Sequence, residues 1–184
     1  MNISGDNIGF NQFKDPVDDI GDDIFTLKFS GRVALDYGKR ATTINYYNGN
    51  GYYEINTSYG SYSGNDQANL LFNQADVIIP TGCELIAWDA QWVNEYVGQT
   101  DLRIDVLRLE FSGLTRTISI IPSAIGTITG MNNITVPYQI SKTLSTPQPF
   151  NKGDGVIPVF SNITSQSFQG DLKGMNLVMK FKRV

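Results

Sequence analysis

The sequence predicts an all-β fold, an antiparallel sandwich or barrel behind a short N-terminal arm. From Ile24 onward apolar and polar residues alternate with period two, the pattern of strands with one buried face. Turn-forming Gly, Asn and Asp punctuate these runs at the short intervals of all-β domains. Beyond the arm, the best helical stretch is Asp66 to Asn73, a turn or two at most. The 184 residues, 20.4 kDa, suffice for one domain that buries most of its unfolded surface. With 41% hydrophobic and 17% charged residues, the chain is globular rather than disordered.

Residues 1–23 form the arm. Phe10, Phe13, Val17, Ile20 and Ile24 recur at three-to-four spacing, one apolar stripe of a short helix, beside Asp15, Asp18, Asp19, Asp22 and Asp23. Asp15-Pro16 suits a helix start, whereas Pro16 and Gly21 oppose a continuous helix. A short acidic segment with an apolar stripe is hard to stabilise alone. It is therefore expected to dock, either on a partner or as a strand-like segment along its own domain.

Residues 24–184 form the β domain. Phe25, Leu27 and Phe29 share one face of the first strand. Ser30-Gly31 reads as a turn into a second strand, Arg32 to Asp36. Thr42 to Tyr47 and Tyr52 to Thr57 flank Asn48-Gly49-Asn50-Gly51, whose Asn-Gly pairs tolerate the positive φ of a tight hairpin turn. Next come Asp76 to Ile79, then Leu85 to Val93 with Ile86, Trp88, Ala90 and Trp92 on one side. In Leu102 to Phe111 the apolar phase shifts between Val106 and Leu107, which requires either a bulge or burial on both faces. Thr115 to Ile121, Ile134 to Gln139, Val156 to Phe160 and Met175 to Phe181 bring the set to roughly eight to ten strands, as in a sandwich or barrel. Lys152-Gly153-Asp154-Gly155 is a turn before the strand that follows it.

Charge and composition remove several classes of function. A net charge of −4 and a pI near 4.7 provide no global positive field for nucleic acid or anionic lipid. The chain has no histidine, which excludes His-based triads and His-ligated metals. Its single cysteine, Cys83, cannot form an internal disulfide and is expected to be a buried structural thiol. Residues Met1 to Ile8 lack a secretion signal and no apolar run is long enough to span a bilayer, so folding in a reducing cytoplasm without membrane insertion is expected. The Asn-x-Ser/Thr triplets at Asn2, Asn56, Asn133 and Asn162 then reflect composition rather than glycan acceptors.

Among residues suited to chemistry, tyrosine dominates. Seven of nine tyrosines fall between Tyr37 and Tyr62, interleaved with Asn, Gly and Ser. This is the composition of a recognition surface, because tyrosine gives large contact area at low entropic cost while its small polar neighbours adapt. Tyr46, Tyr47, Tyr52, Tyr53, Tyr59 and Tyr62 are the candidate recognition residues within the Tyr-rich region 37–64. The alternative reading is that these tyrosines only stabilise an exposed hairpin as cross-strand pairs. Asp101 with Asp105, and Glu84 with Asp89, are the carboxylate pairs a glycosidase would need. On alternating strands such residues are ordinarily the wet face, so no catalytic residue, metal site or cofactor is assigned.

One resemblance emerges from the order of elements. The stretch Ala75 to Trp88 contains the entry turn Pro80-Thr81-Gly82. The long strand Asp101 to Phe111 follows, then a Thr-rich middle, the turn Lys152-Gly153-Asp154-Gly155 and a last strand closing on Lys180-Phe181-Lys182-Arg183-Val184. Over about residues 75 to 184 this resembles the jelly-roll modules of tailed-bacteriophage fibre and decoration proteins, themselves similar to C1q and tumour-necrosis-factor sandwiches. The resemblance implies a jelly-roll homotrimer on a virion, assembled in the host cytoplasm, whose N-terminal segment, through Phe10, Phe13, Val17 and Ile20, attaches to capsid or tail proteins. The chain has no extended shaft, which favours a short capsid decoration, head-fibre or tail-associated component. The alternative is a fibre adhesin module that binds a receptor or host-surface glycan through its tyrosines.

Overall fold

The computed structural model describes residues 23–35, 40–44, 52–58, 77–94, 100–112, 115–132, 135–163 and 170–184. Its strands are β1 (Ile24–Leu35), β2 (Arg40–Ile44), β3 (Tyr52–Ser58), β4 (Val77–Ile78), β5 (Cys83–Asn94), β6 (Thr100–Ser112), β7 (Thr115–Ile120), β8 (Gly126–Met131), β9 (Pro137–Phe150), β10 (Gly155–Asn162) and β11 (Gly170–Arg183). Two antiparallel sheets pack together. One has the order β1-β11-β5-β9; the other has β3-β2-β10-β6-β7, with β4 on β10 and β8 on β6. The pairing is nested: β1 with β11, β2 with β10, β5 with β9 and β6 with β7. First strand with last, alternating between sheets, is the wrap of a jelly roll.

The two sheets are filled differently. In β11 the alternation is clean, with Met175, Leu177, Met179 and Phe181 buried against the facing sheet while Asn176, Val178 and Lys180 stay half-exposed on the outside. In β6 the pairing with β10 runs without a slip from Leu109↔Gly155 to Leu102↔Asn162. The phase shift at Val106 and Leu107 therefore reflects burial on both faces, not a bulge. Leu102, Ile104 and Val106 enter the central core, whereas Leu107 and Leu109 lie on the opposite face with Ile157 and Val159 and are fully buried there.

Three expectations need correction. Ser30-Gly31 is not a turn; β1 continues to Leu35, and its pairing with β11 slips between Gly31 and Val33. The slip faces Gly174, whose φ of +59° is a conformation glycine adopts freely. In β5 the core residue is Leu85, not Ile86, because the register with both neighbours shifts between Leu85 and Ala87 and makes Ile86 the extra residue of a bulge. The strand expected at Ile134 to Gln139 instead begins at Pro137 and extends to Phe150. Its Pro137, Pro147 and Pro149 are tolerated because β9 is an edge strand, where a missing N–H leaves no ladder bond unmade.

β7 and β8 lie along the same side of β6, one on each half, separated by a 3-10 turn at Pro122–Ala124. β8 was not foreseen, since its Gly126, Thr127 and Gly130 look like loop. At the break the Ile121 N–H still donates to the Val106 carbonyl at 3.0 Å, so the ladder resumes beyond the turn.

Candidate attachment and recognition surfaces

The wrap gives the sandwich two distinct ends. At one, β1 begins after Asp23, β11 finishes at Arg183, β5 starts at Cys83, and the tight turn after Phe150 leads into β10. This is the end from which the arm departs. At the other lie Leu35, Asn94, Thr100, Met131, Asn162 and Gly170, where six strands begin or end; it is called the loop end below.

The arm end is built around a ladder of rings and guanidinium groups. The Arg183 guanidinium sits 5.9 Å from the centroid of Phe25, which stacks on Phe181 at 5.3 Å; Phe181 meets Phe150 edge-on at 5.6 Å. Arg108, reaching across from the second sheet, lies 5.9 Å from the Phe150 centroid. It donates from Nη1 to the Pro149 carbonyl at 2.7 Å and pairs with Glu110 at 2.6 Å. Four strands from two sheets are thereby tied at one corner. Each ring pair adds roughly 0.5–1.5 kcal/mol beyond its buried area. The Arg183 backbone N–H donates to the Asp23 carbonyl, so the last residue before β1 is held against this corner. No local sequence signal carries the ladder, because its members are far apart in the chain.

Cys83 lies buried at the same end. Burial, then the negative charges of Asp154 and Glu84, push its thiol up to about 12. It is a protonated packing group, as expected for a structural thiol. Asp154 closes the neighbouring turn by accepting from the Asn151 N–H at 2.8 Å, with Gly153 at φ +94°. That accounts for Lys152-Gly153-Asp154-Gly155 as a turn.

Of the four carboxylates singled out in the sequence, Asp89, Asp101 and Asp105 each have a partner in the fold. Asp89 pairs with Lys180 at 2.7 Å on the exposed face of the first sheet, and hydrogen bonds from Lys180 and Ser141 hold its carboxyl below the usual range. Asp105, expected on a wet face, is instead fully buried and pairs with Arg103 at 2.8 Å. Asp101 accepts from the Gly130 N–H at 2.8 Å. Among the described residues no group of three or more acidic, Cys or His side chains is placed to hold a metal ion. Asn162 is 3% exposed, which bars it from carrying a glycan in the folded chain.

Of the residues singled out for recognition, Tyr52 and Tyr53 fall in β3, where they pair with Ile44 and Thr43 of β2. β2 starts beside Ser161 near the loop end and runs toward the arm end, and β3 returns to Ser58 opposite Arg40. Tyr52 and Tyr53 are thus at the end of β3 nearer the arm. The attachment residues Phe10, Phe13, Val17 and Ile20, together with Tyr46, Tyr47, Tyr59, Tyr62 and the stretch Asp66 to Asn73, lie outside the described residues.

No family model matches the chain, and no curated protein matches it. Among solved structures it is similar to that of infectious bursal disease virus, Gx strain, at 12% identity and a TM-score of 0.37 over 86% of this chain and 32% of that one. A T13 particle of the same virus gives 12% identity, a TM-score of 0.33 and coverage of 89% and 36%. The chain thus spans about a third of those proteins. The stem and receptor-binding domain of spike protein P1 from bacteriophage PM2 gives 11% identity and a TM-score of 0.31 over 86% of this chain and 96% of that one.

Proposed function

We propose that the chain is a non-enzymatic structural protein of a tailed-phage virion, an oligomeric jelly-roll component fixed to the particle by its N-terminal arm. The observation that carries this reading is the polarity of the sandwich. The arm root, Asp23, is tied to Arg183 at a corner braced by Phe25, Phe181 and Phe150, while Leu35, Asn94, Asn162 and Gly170 mark the opposite end. A rigid block with a stiff root transmits attachment better than one hinged at its base. The jelly-roll wrap is an architecture used by capsid proteins and lectins alike; fold alone does not choose between them. The resemblance in residues 75 to 184 favours the virion, with capsid or tail proteins as partners and a homotrimer as the assembly.

In this reading the Tyr-rich region faces outward or lies at subunit contacts. Tyr52 and Tyr53, nearer the arm end, are suited to contacts with the particle or a neighbouring subunit. In the adhesin reading Tyr52, Tyr53, Tyr59 and Tyr62 instead supply stacking platforms for a host-surface glycan. Mass spectrometry of purified virions tests the leading proposal: the chain is expected among the virion proteins at a stoichiometry fitting a repeated component. Absence from purified particles contradicts it. The sedimentation-equilibrium mass of the isolated protein tests the trimer, and a monomer overturns that part.

A further inference from the structure

Among the described residues, three buried polar atoms of β5 near the loop end find no partner: Trp92 Nε1 and both amide atoms, Oδ1 and Nδ2, of Asn94. The two residues are 1% and 5% exposed. They stand two positions apart on β5, hence on the same face and about 7 Å apart along the strand. The other tryptophan of the chain is different, since Trp88 Nε1 donates to the Ala124 carbonyl at 2.8 Å. Buried polar groups in folded proteins are bonded as a rule. Three unbonded atoms on neighbouring side chains therefore define a place for a guest.

The surroundings specify its chemistry. Across the strands Asn94 is flanked by Leu172 and Trp92 by Tyr138, whose ring stacks on the indole at 6.3 Å. Both flanking side chains are uncharged, so an ion there would be desolvated without compensation. Trp92 supplies a donor, and the Asn94 amide supplies a donor and an acceptor. A hydroxyl group can accept from the first and donate to the second.

We propose that the core beneath the loop end binds one neutral hydroxyl group between Trp92 and Asn94. It comes either from an internal water molecule or from a carbohydrate entering at that end. This site is independent of the arm and of the virion reading.

The chain's two tryptophans make the test direct. In the full-length, nitrogen-15-labelled protein, the Trp92 indole N–H is expected to show a rotating-frame Overhauser cross-peak to a long-lived water, and the Trp88 N–H none. If the source is carbohydrate, the Trp92 resonance instead stays silent to water and shifts on titration with galactose or N-acetylglucosamine. A Trp92 signal that responds in neither arm overturns the proposal. In Asn94→Leu the response is expected to be lost while the Trp88 resonance stays in place; an unchanged response overturns the role given to Asn94.

Discussion

Trp88 fills the space in which a side chain on Gly126 would begin. A Cβ at Gly126 would lie 2.5 Å from Trp88 Cη2 and 2.6 Å from Cζ2, while the same indole donates to the Ala124 carbonyl two residues earlier. One of the two buried tryptophans of β5 is thus clamped at the break between β7 and β8, where the 3-10 turn presents a carbonyl to it and the start of β8 a bare glycine. Gly126→Ala is expected to destabilise the fold by about 1–3 kcal/mol, the cost of overpacking a core that cannot move aside. Urea denaturation measures it, and a neutral substitution contradicts the clamp.

Gly174 makes the complementary case. Its φ is +59° and nothing lies within 4 Å of an added Cβ, so only backbone conformation opposes a side chain. Gly174→Ala is expected to cost about 1–2 kcal/mol, and Gly174→Asn less, because asparagine tolerates the left-handed region. Equal losses for both variants, again by urea denaturation, would mean that the slip between β1 and β11 is not held by this residue.

The ring ladder gives a graded prediction. Phe181 contacts both Phe25 and Phe150, so Phe181→Ala is expected to lose about 3–5 kcal/mol. Arg183→Ala, which removes only an end of the ladder, is expected to lose about 0.5–1 kcal/mol. Thermal unfolding of the two variants ranks them, and a reversed order would contradict the ladder.

Cys83 predicts a pH dependence. In the fold its thiol is pushed up to about 12 from an ordinary 9.0. The stabilisation of the neutral thiol is therefore complete below pH 9 and is lost as pH rises toward 12, because the unfolded chain releases the proton first. Cys83→Ser is expected to flatten that part of the stability profile. Native protein is expected to react with a thiol reagent only at its unfolding rate; fast labelling at neutral pH contradicts the burial.

Much of this fold is legible in the order of residues. Phe25, Leu27 and Phe29, and Met175 to Phe181, announce their buried faces by strict alternation, because each strand has one wet side. Ile86 misleads because a bulge moves the phase by one residue, and a bulge is a property of the pairing rather than of the strand. Leu107 and Leu109 mark a second buried face, which pairing with β10 separates from a bulge. β9 hides among prolines and threonines because an edge strand need not be apolar. For the surfaces, Asp105 and the Arg183-to-Arg108 ladder were beyond reading, since both depend on contacts between distant strands. The Asn94 site was also silent, because a single amide at the end of an apolar run looks like a turn residue.

The claim that the domain is a block carried on its arm is tested most directly by deleting residues 1–22. The truncated chain is expected to keep its β circular-dichroism spectrum and its thermal transition, since the core lies between Leu27 and Phe181, while losing its co-sedimentation with virions that lack the protein. Co-sedimentation equal to that of the full-length chain would contradict the account.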